Sequence, residues 1–99
     1  MADPLLIKRW KVTETLLQRA RRHAIAANPD VAAVLGQFDE LLKNNELGLA
    51  LDELSAIGLT SSCRGSFWRT MERAALVMKE TEKANEFRQR FEAMLAEDS

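Results

Sequence analysis

Cysteine and histidine each occur once in these 99 residues, proline twice, glycine four times and tyrosine never. A lone Cys63 excludes an intramolecular disulfide and a cysteine-built metal cluster. Arg64 beside it would lower the thiol pKa, but no base lies near in sequence, so an incidental loop cysteine is the plainer reading. His23 has no His or Cys three or four residues away, which leaves it without a metal-binding or catalytic partner. Gly58 and Gly65 form no phosphate-cradling motif. No apolar run approaches the roughly 20 residues of a membrane span, and Leu5-Leu6-Ile7 is too short for the core of a signal peptide. These absences point to a cytoplasmic protein without catalytic residues, metal or cofactor, one that works by binding another macromolecule and not as an enzyme.

What is present is a helical composition. Hydrophobic residues make up 46% and charged residues 29%, the proportions of a chain that builds one core. Ala, Leu, Glu and Arg are abundant, and few turn formers accompany them. The length suits one domain over 1–99.

Five helical segments can be read from the spacing of apolar residues. Asp3-Pro4 predicts an N-cap followed by proline at the first helical position. Leu6, Trp10, Thr13, Leu17, Ala20, Ala24 and Ala27 then recur in steps of four and three, one stripe on a long helix that Asn28-Pro29 ends. Val31, Val34, Leu35, Phe38, Leu41 and Leu42 predict a second helix up to Lys43, and Asn44-Asn45 a short turn. Leu47, Ala50, Leu51, Leu54 and Ile57 are the inner stripe of a third helix over 46–57. Gly58 would end it in the left-handed conformation, and Gly48 would let a neighbour approach closely. Residues 58–65 read as a loop. Ser66 would cap a fourth helix with Phe67, Met71, Ala74, Ala75 and Met78 inward, and Trp68 and Leu76 at or beyond the edge of that stripe. Thr81 would cap a fifth, with Ala84, Phe87, Phe91, Met94 and Leu95 inward. The expected fold is all-α, a small antiparallel bundle of four or five helices.

The net charge of −1 hides an uneven distribution. Residues 1–30 carry six Lys or Arg against three acids, residues 31–63 one against five, and residues 64–99 seven against seven. The acidic middle third would attract a cationic partner. On the third helix Glu46, Leu49 and Glu53 fall on the outer side with Asp52 flanking. A leucine among carboxylates has the form of a binding anchor, the acids steering a partner and the leucine filling a pocket. A chance exposed leucine, or one covered by a neighbouring helix, is the plainer alternative. Leu49 together with Trp68 could equally mark the surface of a homodimer or adaptor. Lys8, Lys11 and Arg22 on the first helix could meet phosphates, but no aromatic platform joins them, and nucleic acid is the weakest of these partners.

The stretch from Phe38 to Gly58, FDELLKNNELGLALDELSAIG, resembles small bacterial immunity proteins of the MafI kind that accompany polymorphic toxins. In these a leucine-rich acidic helix is followed by a polar turn, E-L/Y/W-G-L-A-L and an acid-rich continuation, here Glu46-Leu47-Gly48-Leu49-Ala50-Leu51 with Asp52 and Glu53. FWRTMERAALVM, Phe67 to Met78, is similar to a W-x-x-x-x-x-A-A-x-x-M segment in related small bacterial proteins. The resemblance implies an all-α cytoplasmic protein that binds a cognate toxin and blocks it without chemistry of its own. An acidic helix can enter the basic cleft of a nucleic-acid-cleaving toxin as a phosphate mimic.

Overall fold

In a computed structural model, residues 4–61, 63 and 65–98 are described, together with all but a few of their side chains. They form α1 (Pro4–Ala27), a 3-10 segment (Pro29–Val34), α2 (Gly36–Lys43), α3 (Leu47–Thr60), α4 (Gly65–Val77) and α5 (Thr81–Asp98), with no strand among them. The fold is a small all-α bundle. None of these helices is long and apolar enough to cross a membrane.

Short connections set the layout. α4 and α5 form an antiparallel hairpin, pairing Glu72 with Arg88 and Arg69 with Phe91. α4 lies between α5 and α1, and α3 packs across α1 and α4 while pairing with α2. Close approach at the α1–α4 seam is possible because Ala20 and Ala24 meet a helix bearing Ala74 and Ala75, all four fully buried. Thr13, also buried, turns its hydroxyl back to donate to the Arg9 carbonyl at 2.9 Å, so no polar group is stranded there.

The α1 stripe holds only in its middle. Thr13, Leu17, Ala20 and Ala24 are buried, whereas Trp10 and Ala27 are exposed. The first two turns project past the bundle, leaving Leu5 72% exposed. Asp3 and the side chain of Leu6, both part of the expected start, lie outside the described residues. Asn28 is extended (φ −150°, ψ 101°) ahead of Pro29, and its side chain accepts the Asp30 amide at 3.1 Å.

One helix was expected over 31–43, and the structure has two. The 3-10 segment ends at Leu35, beside Gly36, a weak helix former. Val31, Leu35, Phe38 and Leu42 reach the core, but Val34 faces solvent. The Asn44-Asn45 turn forms as anticipated. Asn45 takes φ 60°, its amide donates to Leu42 and that of Glu46 to Leu41, the paired bonds of a Schellman cap. A second such cap closes α4 around Lys79 (φ 63°), with bonds to Leu76 and Ala75. Nothing in a lysine signals that conformation, which costs a residue with a Cβ roughly 1–2 kcal/mol.

Gly58 is not a terminator. α3 runs through it to Thr60, and no glycine has a positive φ. Its value is space, since a Cβ there would run into Cε1 of the Phe67 ring. Gly48 has the reverse outcome, because the nearest atom to a Cβ would be Cε of Met78 at 4.0 Å, an ordinary contact. Ser66 is the second residue of α4 and not its cap, and Thr81 opens α5 after the Glu80 carbonyl has accepted the Ala84 amide.

The largest correction concerns Trp68, which is 1% exposed. Its ring meets Phe67 edge-on at 4.8 Å and Phe87 at 5.7 Å, and its Nε1–H donates to the Cys63 carbonyl at 3.0 Å. Burial of tryptophan away from the predicted stripe follows from the position of α4, which is covered from three sides by α1, α3 and α5. Leu95, expected inside, is 54% exposed and lines a groove between α4 and α5.

Candidate partner-binding face

α3 carries two chemistries on one short rod. Leu47, Ala50, Leu51, Leu54, Ile57 and Gly58 face the core. Successive residues advance 100° around the axis, so this choice of inner positions turns 49, 52, 56 and 59 outward. Leu49 is 56% exposed, Glu46 and Asp52 are exposed, and Glu53 is half-buried at the margin. The structure therefore brings the four predicted residues together on the first half of one helix, with Leu49 between the acids.

The acids differ in how far they are engaged. Lys83 of α5 reaches Asp52 at 2.7 Å. Glu46 and Glu53 have no ion pair among the described residues. Glu46 stands at the N-cap position, where its side chain makes no capping bond while its carbonyl accepts the Ala50 amide at 2.9 Å. Its carboxylate is thus favoured by the helix dipole without being consumed by a cap. On α2, Asp39 is tied to Arg21 by two bonds of 2.9 Å, which also push the guanidinium pKa upward, and Glu40 stays exposed.

The face is larger than the sequence indicated. Leu59, assigned to a loop, lies on α3 and is 47% exposed, and with Ala56 it continues the apolar strip from Leu49 at steps of seven and three. The signal that could have found it is that spacing itself, hidden by reading Gly58 as a stop. Beside the first turn of α3, Trp10, Arg9, Asn45, Gly48 and Met78 line a hollow of about 310 Å³. Trp10 is thereby placed beside the first turn of α3, at its seam with α1.

Elsewhere the predicted features disperse. Lys8, Lys11 and Arg22 are exposed on α1; Lys8 and Lys11 line a shallow hollow with Val12, Thr15, Leu16 and Arg19, and Arg22 is not among its lining residues. Cys63 is fully buried, and burial pushes its thiol pKa up, the opposite of an activated thiol. Arg64 lies outside the described residues. Among the described residues no group of three or more His, Cys, Asp and Glu side chains is placed to hold a metal ion.

No family model matches this chain, and no curated protein or solved structure is significantly similar to it.

Proposed function

We propose that this protein is a helical module that binds another protein through the outer face of α3, and that it serves as an immunity protein blocking a cognate bacterial toxin. The observation that carries the reading is Leu49, more than half exposed between Glu46, Asp52 and Glu53 on a helix whose other side is sealed into the core. Holding a large apolar side chain in water has no folding benefit, and a rigid helix presents it without further ordering cost on binding. Two uncommitted carboxylates raise the rate of encounter with a basic surface, and a basic substrate cleft is such a surface. The resemblance over 38–58 and 67–78 supplies the class of partner, a toxin.

The test is protection of cells expressing the toxin encoded beside this gene. Glu46→Lys with Glu53→Lys is expected to abolish protection while the circular dichroism stays that of the folded helical chain and stability falls by no more than about 1–2 kcal/mol, the cost of placing positive charge at the N-terminus of α3. Full protection by the doubly reversed variant would remove the acidic face from the account. The homodimer alternative loses its tryptophan anchor, since Trp68 is inside.

A further inference from the structure

α4 and α5 leave a second surface of different chemistry from α3. Between them runs a groove of about 510 Å³ whose apolar lining is Leu76, Phe91 and Leu95. Both leucines are about half exposed, at 49% and 54%. Three arginines border the same groove, Arg69, Arg73 and Arg88. Two of them are held in place from within the fold. The guanidinium of Arg69 lies 5.3 Å from the centre of the Phe91 ring, and Nε of Arg88 donates to the nearly buried Glu72 at 2.9 Å. That bond uses one edge of Arg88 and leaves its terminal nitrogens without a carboxylate among the described residues. Arg73 has no ion pair there at all. Glu72 is committed to Arg88, so among the described residues Glu92 is the one remaining acid that lines the groove.

The geometry points to a docking site for an acidic amphipathic helix of a protein partner. Its carboxylates would be received by Arg69, Arg73 and Arg88, and its apolar side chains would lie against Leu76 and Leu95. Arginine binds carboxylates in a planar two-bond fork, and guanidinium groups already fixed by a ring and a buried glutamate lose little freedom in doing so. The leucines decide between partners. A nucleic-acid backbone brings phosphates but nothing to cover two half-exposed leucines, whereas an amphipathic helix brings acids and an apolar edge together. The site is distinct from the α3 face, whose acids call for a basic partner, and it stands or falls separately.

The test uses the full chain labelled with nitrogen-15 and a capped synthetic peptide of Glu, Ala and Leu with leucines three and four residues apart. Saturable shift changes are expected at the amides of 69, 73, 76, 88, 91 and 95. Arg69→Gln with Arg73→Gln should weaken binding about tenfold or more, because two charge-assisted contacts are lost. Both arginines are exposed, so the remaining spectrum reports that the variant is folded. Glu46→Lys with Glu53→Lys should leave peptide binding unchanged, which separates this site from the α3 reading. The inference is overturned by any of three results. These are no saturable change at about 1 mM peptide, equal binding of the same peptide with Gln in place of Glu, or tighter occupation of the same amides by a single-stranded oligonucleotide.

Discussion

Both sides of α3 carry leucines, and the two sets have opposite fates. Leu54 on one side is fully buried, while Leu49, five residues earlier, is more than half exposed. The helix bears leucines in both directions, and only one set is needed to close the bundle. The inner side is constrained by packing down to the absence of a single methyl at Gly58, whereas the outer side touches little beyond Lys83. Stability should therefore be lost from one side and binding from the other.

The widest separation is expected between two identical substitutions. Leu54→Ala removes a fully buried side chain and should cost about 2–5 kcal/mol in chemical denaturation. Leu49→Ala should stay within about 0.5 kcal/mol of the parent. Equal losses would erase the distinction between the sides. A narrower contrast uses the two glycines. Gly58→Ala drives a methyl into the Phe67 ring and should destabilise by about 1–3 kcal/mol. Gly48→Ala makes only an ordinary contact with Met78 and should stabilise by about 0.5–1 kcal/mol through the lower backbone entropy of the unfolded chain.

The dry inner end of α3 can be probed through Cys63, whose amide donates to the Gly58 carbonyl at 3.1 Å. Burial raises its folded pKa above that of the unfolded chain, so the folded state favours the protonated thiol. Its contribution is fully present below about pH 8.5 and is lost as pH rises through the folded pKa. Cys63→Ser should flatten that alkaline decline in melting temperature, and a thiol reagent should modify the native parent only as it unfolds. The smallest effect belongs to the outer side. Asp52→Asn breaks an exposed pair with Lys83 and should change stability by less than about 1 kcal/mol, a difference that shrinks as salt is added.

Sequence periodicity made most of the fold legible and failed at identifiable places. The inner stripe of α3, the Asn45 turn and the middle of α1 follow from spacing and turn chemistry, because each satisfies a local requirement visible in its own residues. Gly58 misled because glycine ends helices more often than it makes room for a ring, and that ring, Phe67, lies in the next helix. Trp68 misled because one stripe per helix assumes one neighbour, and α4 has three. Lys79 adopts a left-handed turn that the short α4–α5 connection requires and lysine does not advertise. Within the candidate face, the outward direction of Leu49 is legible from the position of the inner stripe, but Leu59 is hidden by Gly58, which reads as a helix stop. The α4–α5 groove was not legible, since it depends on where Arg69 and Arg73 of one helix meet Arg88 and Phe91 of another.

The measurement closest to the central claim is calorimetric titration of the proposed partner, a toxin encoded beside this gene, into the parent chain and into Leu49→Ala, with melting of both recorded alongside. An anchor at Leu49 predicts at least a tenfold loss of affinity with unaltered melting. Undiminished affinity in a folded Leu49→Ala variant would contradict it.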